Sequence, residues 1–225
     1  RTPPRGIQDM NKQTALDYMK SHCIIAVVRA DSGGDDLVRV VEAVVEGGVH
    51  CIELTMTTPG ALQALELATK VLEGADVLLG VGTVLDAETC RMAILAGAQF
   101  VVTPVVAPEV ATMARRYGKP VALGAFTPTE ILRAWEAGSD VVKVFPSSVG
   151  GADYIKVIKG PLPQVPLLPT GGVEVDNVAE FLKAGAFALG VGGNLVSKKL
   201  VDAKDYAGLT RNARAFADSV KAVRA

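Results

Sequence analysis

Two ionisable residues stand inside stretches otherwise made for burial. Lys143 lies within Val141-Val142-Lys143-Val144-Phe145, and Glu53 within Cys51-Ile52-Glu53-Leu54. Lysine is rarely buried without a partner. In an apolar site desolvation disfavours the ammonium, and an amine that is partly neutral can attack a carbonyl to form an imine. The plainer alternative is a lysine snorkelling from a strand end to water or to a carboxylate. Glu53 is the mirror case: a carboxyl in a dry site has a raised pKa and can carry a proton. Its alternative is a structural carboxylate paired with a base. The two readings meet if Glu53 pairs with Lys143, which strand spacing alone leaves open.

A third feature is glycine-rich. Thr170-Gly171-Gly172 and Gly192-Gly193-Asn194 each follow an apolar run. Glycine lets the backbone approach an anion closely, so two such pairs suit a phosphate better than plain turns would. The remaining candidates are weaker. His22 and His50, the chain's two histidines, precede apolar runs, and Cys23, Cys51 and Cys90 have no ligand spacing. Neither set suggests a metal site, and no cofactor is expected. Phe126 and Trp135 read as packing residues, and Lys156 and Lys159 as solvated helix positions. No Ser-His-Asp arrangement is evident.

The elements that must position these residues alternate in kind. Short runs rich in Val, Ile, Leu and Ala cover 24–28, 51–54, 77–81, 100–103, 121–123, 141–145, 167–169 and 188–191. They are near-continuous in apolar residues, as strands buried on both faces are. Helical patterns fall at 12–20, 37–46, 62–71, 86–96, 108–117, 127–138, 175–184 and 206–223. Thr58-Pro59 reads as a cap-then-proline start, Asp86 as an N-cap, and Thr127 with Glu130 as a capping box. Gly47-Gly48, Gly97, Gly138 and Gly185 each close a helix before a strand. Eight such units predict one (β/α)8 barrel, an α/β fold, with an extra N-terminal helix. A doubly wound open sheet is the runner-up, disfavoured because no dinucleotide glycine fingerprint is present. In a barrel the chemistry gathers at the strand C-termini. That end carries Arg29, Glu53, Thr57, Thr83, Pro104, Lys143, Phe145, Thr170 and both glycine pairs; the histidines fall at the other.

Composition narrows the classes. The 225 residues carry 23 basic and 24 acidic side chains, a net charge of −1, so no electrostatic footprint for nucleic acid or an anionic membrane exists. An apolar fraction of 49% excludes disorder as the main state. The longest uncharged stretch, 92–108, is too short and too interrupted by Gly97, Pro104 and Pro108 to span a membrane. Residues 1–10 read as an N-terminal tail with Met10 a candidate start, and 11–225 as one domain. The tail has no apolar run of the signal-peptide kind. With three scattered cysteines, an odd number, the expected compartment is a reducing cytoplasm.

Gly80-Val81-Gly82-Thr83, Val102-Thr103-Pro104, Lys143-Val144-Phe145-Pro146 and Pro169-Thr170-Gly171-Gly172-Val173, with Glu53 in Ile52-Glu53-Leu54-Thr55, resemble the signature of the 2-keto-3-deoxy-6-phosphogluconate aldolase family. The likeness covers about 24–196, in order and at matching spacings. It implies a homotrimeric barrel and class I aldol chemistry without metal. The substrate would be a phosphorylated keto acid, cleaved to pyruvate and glyceraldehyde 3-phosphate. Lys143 would form the Schiff base with the C2 carbonyl, and Glu53 would act as general acid/base through water. Thr83, Pro104, Phe145 and Thr170 would line the pyruvate half; Gly171, Gly172, Gly192, Gly193 and Asn194 would hold the phosphate. Some members carry a carboxylate-gripping arginine where this chain has Thr57, and others one at the end of the first strand, which Arg29 matches. Arg29 is therefore expected to supply that charge. Asn194 stands where many members have Ser.

The substrate epimer is open at this point. Thr170 favours the gluconate series, whereas Arg29 and Lys143-Val144-Phe145-Pro146-Ser147-Ser148 look galactonate-like; 4-hydroxy-2-oxoglutarate is a further family substrate. A phosphosugar isomerase barrel and a non-catalytic phosphosugar-binding barrel are the readings from other classes.

Overall fold

The computed structural model describes residues 10–29 and 34–224. Residues 1–9 of the expected tail therefore lie outside it, as do 30–33 and 225. The strands are β1 (Ile24–Val28), β2 (Cys51–Thr55), β3 (Leu78–Gly82), β4 (Val101–Val102), β5 (Val121–Ala125), β6 (Val141–Val144), β7 (Leu167–Pro169) and β8 (Leu189–Val191). The hydrogen-bonded order is β7-β6-β5-β4-β3-β2-β1-β8, parallel at every pairing. The two ends meet through a parallel bridge between Thr170 and Gly190. That closure makes a (β/α)8 barrel and removes the open-sheet alternative.

Period-2 alternation sorts the strand residues. Ile24, Ala26, Val28, Ile52, Leu54, Val81, Leu123, Val142 and Val144 point outward and join the large core under the helices. Ile25, Cys51, Leu78, Phe100, Val102, Ala122, Val141 and Leu168 point inward and fill the lower barrel. Two residues further along the same inward rows come Val27, Glu53, Gly80, Gly124, Lys143 and Thr170. Parity alone thus lifts Lys143 and Glu53 out of the helix-facing layer and into the barrel. Gly80 makes room in the lower layer, since a Cβ there would sit 2.4 Å from the Phe100 ring.

The helices are α1 (Lys12–His22), α2 (Asp35–Glu46), α3 (Ala61–Val71), α4 (Ala87–Leu95), α5 (Pro108–Arg116), α6 (Pro128–Glu136), α7 (Gly151–Lys159), α8 (Val178–Lys183), α9 (Lys198–Asp202) and α10 (Tyr206–Arg224). Helix α1 is the extra one; it is capped by Asn11 and plugs the bottom of the barrel with Ala15 and Met19. The Thr127–Glu130 capping box and the Asp86 cap form as expected. Thr58 differs: Gly60, in the left-handed region, caps α3, while Thr58 is buried with its hydroxyl 3.4 Å from that of Thr55. Lys159 differs too. It is half-buried, and its ammonium reaches forward to the carbonyls of Pro163 and Val165 at 2.6 and 3.0 Å, so it staples a loop. Of α7 the sequence pattern shows only the C-terminal part, 154–159, because the helix opens on Gly151 without a capping side chain, and α9 escapes the pattern because it is only five residues long. No helix among the described residues is long and apolar enough to cross a membrane.

Candidate active site

At the C-terminal mouth of the barrel a cavity of about 370 Å³ is lined by residues from β1, β2, β6 and β8 and from the loops after β1, β3, β4, β6, β7 and β8. Lys143 and Glu53 both face it, from strands on different sides of the barrel. Lys143 is 6% exposed, and its ammonium lies 5.1 Å from the centre of the Phe145 ring. Among the described residues no carboxylate comes within ion-pair distance of it. The amine is therefore held by apolar walls and one aromatic face rather than neutralised by a partner.

Glu53 is 2% exposed, and its Oε1 is buried with no hydrogen-bond partner among the described residues. Burial pushes its pKa up, against the lowering pull of Lys143 and Arg29. Desolvation prevails because neither cation touches the carboxyl. A buried polar atom without a partner costs on the order of 1–3 kcal/mol, a price usually met at functional sites. The slot that holds the carboxyl is a gift of β3: a Cβ on Gly82 would lie 1.7 Å from Oε1. Gly190 does the same for Thr170, whose hydroxyl oxygen would be 2.4 Å from a Cβ there, and Gly124 for the Pro104 backbone, at 2.2 Å.

The other expected residues fall as follows. Arg29, Thr83, Pro104, Phe145, Thr170, Gly171, Gly172, Gly192, Gly193 and Asn194 all line the same cavity. Thr57 does not: it is exposed, and its hydroxyl bonds that of Thr55 at 3.0 Å. Thr83 sits at φ 58°, a left-handed conformation that a β-branched residue adopts only under constraint. The amides of Met56 and Val84, bonded to Gly82 and Val102 at 2.9 and 3.2 Å, pin the chain on either side. Asn194 donates to the Val173 carbonyl at 2.9 Å and so ties the loop after β8 to the loop after β7. The N–H groups of Gly193 and Asn194 have no partner among the described residues, leaving donors at the rim suited to an anion. Val27, Val173 and Gly190 also line the cavity and were not anticipated. Val27 was legible, two residues before Arg29 on the same inward row and in register with Glu53. His22 and His50 lie at the opposite end, their rings 5.2 Å apart.

A buried, unpaired lysine and a buried, unpaired carboxyl sharing one barrel mouth, with free amides at its rim, are the parts of an enzyme that handles carbonyl compounds bearing an anionic group. Comparison with known proteins specifies the class. The family model described as KDPG and KHG aldolase matches residues 16–212, and the chain belongs to this family. It is 38% identical over 198 residues to a 2-dehydro-3-deoxy-phosphogluconate aldolase of Treponema pallidum, covering 87% of this chain and 91% of that one. It is 35% identical to a 2-dehydro-3-deoxy-6-phosphogalactonate aldolase of Escherichia coli, over 76% of this chain and 83% of that one. Among solved structures, the KDPG aldolase from Legionella pneumophila, with pyruvate captured at low pH as a covalent carbinolamine intermediate, superposes with a TM-score of 0.80 at 27% identity, over 90% of this chain and 97% of that one.

Proposed function

We propose that the protein is a class I aldolase that cleaves 2-keto-3-deoxy-6-phosphogluconate to pyruvate and glyceraldehyde 3-phosphate. The observation that carries the reading is the unpaired, buried Lys143 facing the same cavity as the protonatable Glu53. The 38% identity to a relative named for this substrate supports it.

The steps follow from the chemistry of those groups. The Lys143 amine adds to the C2 carbonyl, giving a carbinolamine. Glu53, whose neutral form is favoured by burial, gives a proton through water to the departing hydroxyl, and the iminium forms. The Glu53 carboxylate then takes the C4 hydroxyl proton by the same route. The C3–C4 bond breaks, its electron pair enters the iminium to make an enamine, and glyceraldehyde 3-phosphate leaves. The cation on the imine nitrogen lowers the barrier where negative charge develops. The enamine takes a proton at C3 from Glu53, water hydrolyses the resulting iminium, and pyruvate and free Lys143 return. Arg29 holds the substrate carboxylate; Thr83, Pro104, Phe145 and Thr170 wall the pyruvate half; Gly171, Gly172, Gly192, Gly193 and Asn194 receive the phosphate.

The deciding experiment is borohydride reduction in the presence of pyruvate, followed by peptide mass mapping. A reduced pyruvate adduct on Lys143 is expected; no adduct on folded protein would remove the reading. Cleavage rates on the two C4 epimers and on 4-hydroxy-2-oxoglutarate then rank the substrates, with the gluconate epimer expected first because the Thr170 hydroxyl stands at the cavity wall. A homotrimer is proposed with this reading. The exposed Val105 and Phe145, with Phe126 beside them along one surface cleft, leave an apolar face for a second copy to cover, and sedimentation equilibrium tests it. A cytoplasmic site of action accords with the three free, buried thiols Cys23, Cys51 and Cys90.

A further inference from the structure

In the turn after β7 every carbonyl from Thr170 to Val173 is engaged as an acceptor. The Thr170 carbonyl accepts the Ser147 N–H at 2.9 Å, and the Gly171 carbonyl accepts the Ser147 hydroxyl at 2.6 Å. The Gly172 carbonyl accepts the Asn177 side-chain amide at 2.9 Å, and the Val173 carbonyl accepts that of Asn194 at 2.9 Å. The N–H groups of Gly171, Gly172 and Val173 have no partner among the described residues. Gly171 and Gly172 both occupy the left-handed region, at φ 88° and 73°. Successive peptides held so that their oxygens are engaged and their N–H groups are free make a concavity for an anion.

Ser147 is the anchor of this arrangement. It is 1% exposed, follows β6 by three residues, and bonds two consecutive carbonyls of the turn. The turn packs closely on the next residue, since a Cβ on Gly172 would lie 2.7 Å from the Ser148 Cα. The segment that continues from Lys143 therefore carries the turn that faces the other end of the substrate. None of these clamps was apparent in the sequence, because they join residues on separate loops.

We propose that Ser147, assisted by Asn177, is a positioning residue: it holds the carbonyls of Thr170–Gly171 away from the cavity so that the turn presents only N–H donors to the substrate phosphate. The inference rests on the reading that this turn receives the phosphate. Losing the Ser147 hydroxyl frees the Gly171 carbonyl to rotate toward the anion and repel it. Neither clamp contacts the lysine, so imine chemistry on pyruvate is left as it was.

The test compares wild type, Ser147→Ala and Asn177→Ala on three readouts: cleavage of the phosphorylated keto acid, cleavage of its unphosphorylated counterpart, and deuterium exchange of the pyruvate methyl group. Each variant is expected to raise KM for the phosphorylated substrate by roughly 5- to 10-fold, the order of one neutral hydrogen bond. Methyl exchange and unphosphorylated cleavage should change by less than about twofold on that same scale. Asn177 is only partly buried, so its variant answers the question even if Ser147→Ala is unstable. Folded variants with the wild-type KM, or with equal losses on all three readouts, overturn the proposal. A wild-type enzyme that handles both substrates equally well removes the anion reading itself, and the clamp with it, whereas a wild-type preference that survives in both variants overturns the clamp alone.

Discussion

Gly82→Ala should cripple catalysis without touching a reacting group. The added Cβ would lie 1.7 Å from Glu53 Oε1, 2.3 Å from Cδ and 2.7 Å from Cγ. Rotating the carboxyl cannot relieve a clash that includes Cγ, so the side chain must retreat by roughly 1.7 Å to reach van der Waals separation. A misplacement of about 1 Å in a catalytic group can lower the rate about 10²-fold, and removing a general acid/base costs about 10²–10⁴-fold. Gly82→Ala is therefore expected to lower kcat by at least about 10²-fold in a pyruvate-release assay. Overpacking should lower stability by about 1–3 kcal/mol, or several degrees in Tm, leaving a folded protein. The double variant Gly82→Ala/Glu53→Gln should be no slower than Glu53→Gln alone, since both changes disable one group. A folded Gly82→Ala enzyme within threefold of wild type, or losses that multiply in the double variant, would refute the claim that this glycine exists to seat Glu53.

Three further outcomes are expected. Lys143→Met should abolish pyruvate trapping and lower kcat by at least about 10³-fold; its Tm should hold or rise, because a buried ammonium gives way to an apolar chain of similar length. Glu53 has a folded pKa raised above its ordinary value of 4.5 by burial, so the native state keeps a proton that the unfolded chain releases, and stability falls as pH rises from that value through the folded pKa. Glu53→Gln removes the penalty, and its Tm advantage over wild type should grow as pH rises above about 4.5 in thermal melts; a constant difference would contradict the raised pKa. Arg29→Ala should raise KM for the keto acid by about 10- to 100-fold, the worth of a charge-assisted hydrogen bond, and shift the Glu53 limb of the pH–rate profile upward, because the Arg29 charge pulls that pKa down. An unchanged KM would unseat Arg29 as the carboxylate partner.

Local order made much of the molecule legible. The apolar runs located all eight strands to within a residue or two, with β4 shorter than its pattern because only Val101 pairs on both sides and Val102 pairs with β5 alone. Capping chemistry at Asp86 and Thr127 is local and could be read directly, as could the left-handed glycines after α4, α6 and α8. The oddity of Lys143 and Glu53 was visible because a charged residue in an apolar strand is anomalous whatever surrounds it. Tertiary structure decided the rest, because the deciding contacts join residues far apart in the chain. Closure through Thr170 and Gly190 put Glu53 and Lys143 in one cavity. The inward glycines were plain in the sequence, but only the folded barrel shows that Gly82 seats a carboxyl while Gly80 seats Phe100. Periodicity fixes which way a side chain points; what it meets there depends on barrel closure, which no single segment encodes.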